Sequence, residues 1–153
     1  MEVEIRKASD NDKSAVLEPG RKNVNIYERT HLGDELADGY IESGACDSDL
    51  SSIYENASVA LCDDKVIGFV FIEGNEIQRL SVDNEHWGKG VGQKLLDYAT
   101  REISKTNKEI ILECFVSSPI ANRFYKKMSF ENSGVIDGDG GNRILYKKKY
   151  DIF

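Results

Sequence analysis

The chain has 153 residues, 40 % of them apolar and 31 % charged, with a net charge of −7; that length suits one domain with a core of its own. The acid excess argues against a nucleic-acid partner, whose phosphates need a basic face. Cys46, Cys62 and Cys114 are odd in number and widely spaced, which fits neither a disulfide framework nor a metal site and favours a reducing compartment.

The first 25 residues are charged and lack the apolar core of a signal peptide. The longest apolar run, VIGFVFI at 66–72, is far too short to span a bilayer. A soluble, cytoplasmic protein without a membrane partner is therefore expected. EVEIRKA (2–8) alternates and reads as an edge strand. In SDNDKSAVLEPGRK, Ser9 or Asp10 is a capping candidate and Pro19 with Gly20 a stop, so a helix of about two to three turns fits between them. Residues 24–56 look helical but broken, with Gly33, Gly39 and Gly44 interrupting. This part of the chain carries Glu28, Asp34, Glu35, Asp38, Glu42, Asp47, Asp49 and Glu55 against Arg29 alone. A solvated helical face accounts for the pattern; the functional alternative is a negative rim that attracts a cationic substrate.

SVALCDD and KVIGFVFIEGN are two β-rich runs around Asp63 and Asp64, a hairpin signal, and EIQRLSVD (76–83) is a further strand. Val91, Leu95, Leu96, Ala99 and Ile103 recur at helical spacing and define one apolar face. EIILECFV (109–116) is nearly continuous in apolar residues, the pattern of a strand buried on both faces. SPIANRFYKKM follows as a helix, with Ser118 at the cap and Pro119 at the first helical position. FENSGVID and RILYKKKYDIF read as two strands around GDGGN. No linker, repeat or low-complexity tract interrupts the chain, so residues 1–153 are expected to form one α/β domain with a mixed sheet.

WGKGVGQK sets Gly88, Gly90 and Gly92 at alternate positions between a strand and a helix. No register supplies a P-loop. Neither Gly88 nor Gly90 opens a G-x-G-x-x-G fingerprint, because Gln93 and Leu95 stand where the third glycine would be. A glycine-rich helix start offers unpaired N–H groups and the positive end of the dipole, which suit a phosphate or pyrophosphate. A tight turn with no ligand fits the loop equally well.

Two motifs in order and spacing carry a resemblance. Leu80 and Val82 lead into Gly90 and Gly92; Ala121, Tyr125 and Phe130 follow on the later helix. Together they resemble the GCN5-related N-acetyltransferase (GNAT) superfamily over nearly the whole chain. The resemblance implies a mixed, mostly antiparallel sheet flanked by helices, with splayed central strands that bind acyl-CoA. It implies transfer of an acetyl group from acetyl-CoA to a primary amine by direct attack in a ternary complex, with no metal. The pyrophosphate would lie on the N–H groups of Gly88, Lys89, Gly90, Val91, Gly92 and Gln93. The pantetheine arm would pair with the strand of Leu80 and Val82 as an added strand does, and a backbone N–H near Leu80 would polarise the thioester carbonyl. Trp87 stands where the family has Gln or Arg, and Ser129 where it has a glycine. Ser118 occupies the place of an asparagine that contacts the pantetheine arm, with Asn122 one turn on as its substitute.

Tyr125 matches the family tyrosine whose hydroxyl faces the sulfur and is the implied general acid. Two glutamates are candidates for the base. Glu76 aligns with the strand glutamate of the histone-acetylating branch. Glu113, 12 residues before Tyr125, has a spacing similar to the branch acting on protein N-termini. Glu113 is the odder residue, since it interrupts an apolar strand on the face of Ile111 and Phe115, where burial would raise its pKa. Glu76 ranks first because the stronger motif fixes its register. Cys114 points away from Glu113 and reads as a packing thiol; His31 and His86 have no partner spacing. A polyamine, an aminoglycoside-like cation or a lysine-bearing peptide would suit the acidic stretch as acceptor, and homodimers are common among such enzymes. The alternative on the same fold is a non-catalytic acyl-CoA-binding sensor or interaction module.

Overall fold

Seven strands form one sheet: β1 (Glu4–Lys7), β2 (Ala57–Cys62), β3 (Lys65–Glu73), β4 (Glu76–Val82), β5 (Glu109–Phe115), β6 (Glu131–Ile136) and β7 (Arg143–Lys149). The computed structural model describes residues 1–53, 56–138 and 141–150, the side chains of residues 27, 31 and 53 excepted; expectations for His31, for Glu55 and for the strand beyond Tyr150 lie outside the described residues. Strand order is β1-β2-β3-β4-β5-β7-β6. Every neighbouring pair is antiparallel except β4 with β5, which is parallel. The mixed, mostly antiparallel sheet flanked by helices is thus present, with β1 at an edge as its short alternating sequence suggested. Asp63 (φ +51°) and Asp64 (φ +63°) turn β2 into β3, the left-handed pair whose twist suits a two-residue hairpin.

The two faces of the sheet carry separate cores. On one, Val91, Leu95, Leu96, Ala99 and Ile103 of helix α5 (Val91–Ser104) are all buried against Val70, Ile77 and Val82, so the apolar stripe of the sequence is the packing face. Gly68 makes this approach possible. A Cβ there would come within 2.7 Å of the Ser81 carbonyl oxygen and 3.1 Å of Leu95 Cδ1. On the other face, helices α1 (Lys13–Asn23), α2 (Arg29–Leu32), α3 (Asp34–Glu42) and α4 (Ala45–Ile53) form a layer. Val16, Ala37 and Leu50 from this layer pack with Val59 and Phe69. Phe69 and Val70 serve opposite cores because strand side chains alternate.

Three local expectations are corrected. Pro19 and Gly20 lie inside α1, which continues to Asn23. Gly20 is there for contact, since a Cβ would press to 2.6 Å from Leu50 Cδ1. Gly33 (φ +88°) and Gly44 (φ +81°) do break the helical stretch, whereas Gly39 runs on within α3. Finally, β5 is buried on one face only: Ile110, Leu112 and Cys114 face the core, but Glu113 is exposed and Ile111 and Phe115 are half-buried. The helical layer packs on β2 and β3 and leaves this face of β5 uncovered.

The seam between β4 and β5 opens the sheet. Among the described residues their ladder holds one bridged pair, Glu76 with Ile111. Asn75 closes that end: its carbonyl accepts from Ile111 N–H at 3.0 Å, and its side-chain amide donates to the Glu109 carbonyl at 3.1 Å. Beyond this point a cavity separates the strands. A bulge in β4 sets which side chains reach it. Phe71 pairs with Arg79 but Ile72 with Ile77, so Gln78 is the extra residue. Glu76, Arg79 and Ser81 consequently share the face turned toward the cavity. No helix among the described residues is long and apolar enough to cross a membrane.

Candidate active site

The glycine loop forms one wall of a groove of about 460 Å³, closed on the other side by Ile120, Phe124 and Tyr125 of helix α6 (Pro119–Lys127). Gly88 (φ +75°) and Gly90 (φ +82°) hold left-handed backbone that side-chain-bearing residues resist. A Cβ at either would meet nothing within 4 Å; the glycines keep the groove open rather than relieve a clash. Gly90 is the N-cap of α5, so the N–H groups of Val91, Gly92 and Gln93 head the helix unpaired within it. Gly92 differs, since a Cβ there would sit at ordinary distance from Phe124 (3.6 Å) and Val82 (3.8 Å). Leu80, Val82, Gly88, Gly90, Val91, Gly92 and Gln93 all line the groove, while Lys89 is exposed outside it. Trp87 donates its indole N–H to the Val82 carbonyl at 2.7 Å, which pins the loop to the end of β4. Asp83 anchors the same corner through Lys22 at 2.8 Å. Burial pulls its pKa up, but the Lys22 hydrogen bond and charge leave it below the usual value.

A second cavity, about 880 Å³, occupies the splay between β4 and β5 beneath α2 and α3. Asn23, Leu80, Ala121 and Tyr125 line both cavities and mark their junction. Tyr125 is half-buried, its ring edge-on to Phe124 at 5.2 Å and Phe130 at 5.9 Å. Glu76 and Glu113 both line the second cavity. The pKa of Glu76 is raised, first by burial and then by the charges of Glu113 and Glu73. The expected burial of Glu113 does not occur. Its side chain is 32 % exposed, with Arg143 Nη1 at 3.9 Å, because this face of β5 fronts the open cavity instead of a core. Desolvation acts on Glu76 instead.

Cys114 is 7 % exposed and belongs to the core; burial pushes its thiol up to about 11, so it stays protonated at neutral pH and packs as expected. Ser118 is buried at the head of α6 without a side-chain capping bond and lines the second cavity. Asn122 lines neither cavity. Its amide donates to the carbonyls of Ser118 (2.7 Å) and Phe115 (3.0 Å), and its carbonyl accepts from the buried Tyr146 hydroxyl at 2.6 Å. That clasp joins α6, β5 and β7. His86 lines the groove, with Nδ1 3.7 Å from Asp83 Oδ2. Among the described residues no group of three or more His, Cys, Asp or Glu could hold a metal ion.

Part of the acidic stretch is neutralised internally: Arg29 pairs with Asp34 and Asp38, and Arg21 with Asp47. Glu28 and Asp49, outside those pairs, reach the second cavity. Asp49 is engaged by the Tyr40 hydroxyl at 2.6 Å, and Arg79 donates to the same hydroxyl at 3.3 Å. Sequence reasoning missed Tyr40, Arg79 and Ser81. The bulge at Gln78, which turns Arg79 and Ser81 inward, leaves no mark in the alternation of β4.

Residues 53–132 match the acetyltransferase (GNAT) domain family. The PaiA N-acetyltransferase of Thermoplasma acidophilum, solved in complex with coenzyme A, is 26 % identical, with 98 % of this chain and 100 % of that chain covered at a TM-score of 0.77. Ard1 from Thermoplasma volcanium shares the fold at 21 % identity and a TM-score of 0.75, covering 99 % of both chains. Among curated proteins, N-acetylaspartate synthetase of Xenopus tropicalis is 30 % identical over 89 residues, 52 % of this chain and 32 % of that protein. The chain thus spans about a third of that relative's length. With the family matched over more than half of its residues and the fold over nearly all of them, the chain belongs to the GNAT family of acetyl-CoA-dependent acetyltransferases.

Proposed function

We propose that the protein transfers the acetyl group of acetyl-CoA to a primary amine by direct attack within a ternary complex. The observation that carries this reading is that Tyr125 lines both the glycine-loop groove and the splay cavity. A donor reaching from one to the other would pass its sulfur there. The N–H groups heading α5 suit the pyrophosphate, and the edge of β4 suits the amide-bearing arm as an added strand. Both likenesses to N-acetyl-forming proteins, PaiA and the N-acetylaspartate synthetase, support nitrogen as the acceptor atom.

Glu76, with its raised pKa, removes a proton from the incoming ammonium. The amine nitrogen then attacks the thioester carbonyl, whose developing oxyanion a β4 backbone N–H near Leu80 stabilises. As the carbon–sulfur bond breaks, the Tyr125 hydroxyl protonates the departing thiolate, and the second proton, which the nitrogen sheds on becoming an amide, restores the phenol. Glu113 acts on this sequence through its charge, which helps keep Glu76 basic. The test is a CoA-release screen with acetyl-CoA against diverse amines. Acceptor-dependent release that Tyr125→Phe suppresses supports the reading. Tight CoA binding with no release from any amine supports the non-catalytic acyl-CoA module in its place.

A further inference from the structure

The splay cavity holds two half-buried groups of opposite sign, Glu76 and Arg79, and among the described residues neither has an oppositely charged side chain within 4 Å. They stand on one face of β4, about 7–10 Å apart along the strand, and do not pair with each other. Arg79 reaches the Asp49 carboxylate only through a hydroxyl. Its Nη2 donates to the Tyr40 hydroxyl at 3.3 Å, and that hydroxyl donates onward to Asp49 at 2.6 Å. Burial, then Asp49, push Tyr40 up to about 12, so it remains a neutral phenol and fixes the guanidinium without cancelling its charge. Arg143, the other cation of the cavity, lies 3.9 Å from Glu113 and over the Phe115 ring. Arg79 thus offers the cavity a guanidinium with, among the described residues, no carboxylate in direct contact, free to take a charge-assisted hydrogen bond from a ligand.

We infer that the acceptor is a small molecule of amino-acid type, bearing a carboxylate as well as the reacting amine, with the carboxylate held by Arg79 and the amine turned toward Glu76. This rests on the transferase reading above and narrows it. A polyamine offers Arg79 nothing, and of the acids that favoured a purely cationic acceptor, Asp34, Asp38 and Asp47 are already paired within the helical layer.

Free amino acids and their C-terminal amides form matched pairs that differ in the carboxylate, and rates are compared at equal free-amine concentration because amidation also lowers the amine's pKa. The pairs are compared in the CoA-release assay and in calorimetric titration of the CoA-loaded protein. The wild type is expected to favour at least one free acid over its amide by about 10-fold or more in kcat/KM. Arg79→Gln then loses about 10- to 100-fold on that acid, chiefly in KM, as expected for one charge-assisted contact. Its rate on the amide falls by less than its rate on the acid, and its affinity for acetyl-CoA stays unchanged, which checks its fold. Equal use of acids and amides by the wild type overturns the inference, as does an Arg79→Gln loss that is the same for both. If no amine releases CoA, carboxylate-dependent binding that Arg79→Gln abolishes upholds the anchor while the transferase reading falls. Binding without carboxylate dependence overturns the anchor as well.

Discussion

Replacing Gly90 and Gly92 in turn separates what the loop does for folding from what it does for binding. Gly90 holds φ +82°, and an L-residue there costs about 1–2 kcal/mol. No clash adds to this, because a Cβ meets nothing within 4 Å. Gly92 lies in the first turn of α5 in ordinary helical backbone, where its Cβ would make normal contacts at 3.6 and 3.8 Å. There alanine gains up to about 1 kcal/mol of helix propensity. Gly90→Ala should therefore lower stability in urea unfolding by about 1–2 kcal/mol and Gly92→Ala should hold or raise it. These are small against a typical stability of about 5–15 kcal/mol, so Gly90→Val also folds. Its branched side chain projects into the groove and should weaken CoA binding by about 10-fold or more, the loss of a charge-assisted hydrogen bond. Wild-type CoA affinity for Gly90→Val by calorimetry would refute the cradle. A stable Gly90→Ala beside a destabilised Gly92→Ala would refute the conformational reasoning.

Tyr125→Phe should lower kcat by about 100-fold or more, the usual scale of general acid catalysis, while calorimetry finds the acetyl-CoA affinity unchanged. The pH profile of kcat/KM should show an acid limb above the ordinary glutamate value, because burial and Glu113 raise Glu76 and the base works only once deprotonated. Glu113→Gln removes the neighbouring like charge and should move that limb to lower pH; Glu76→Gln should remove it. Ser129 closes α6 at φ +72°, so Ser129→Gly should raise the urea midpoint, by about 1 kcal/mol in stability.

The legible parts of the chain were those governed by one periodicity. The five apolar residues of α5 are the five buried ones, and Asp63–Asp64 is the turn it resembled, because helix faces and two-residue hairpins are decided locally. The less legible parts depend on what lies above a strand. EIILECFV reads as doubly buried, but nothing in those eight letters records that the helical layer stops short of β5. The same gap exposes Glu113, and its exposure passes the role of desolvated carboxylate to Glu76. Asn122 shows the complementary difficulty. A polar residue one turn into a helix looks available to a ligand until Tyr146, distant in sequence, takes its carbonyl. Arg79 was hidden by a single inserted residue in β4, which turns it inward.

The Asn75 closure has a consequence for how the molecule comes apart. With one bridged pair joining them among the described residues, the blocks β1–β4 and β5–β7 meet along the weakest line of the sheet, and each presents there an inner border much like an outer edge. On the proposed reading, a donor laid into the gap supplies the missing rungs, so occupancy and resistance to unfolding become a single quantity observed in two ways. Ligand at 100 times its Kd adds about 2.7 kcal/mol to stability, an increment comparable to that of several core methylenes. Amide exchange along this border therefore gauges donor supply, fast when acetyl-CoA is scarce and slow when it is plentiful.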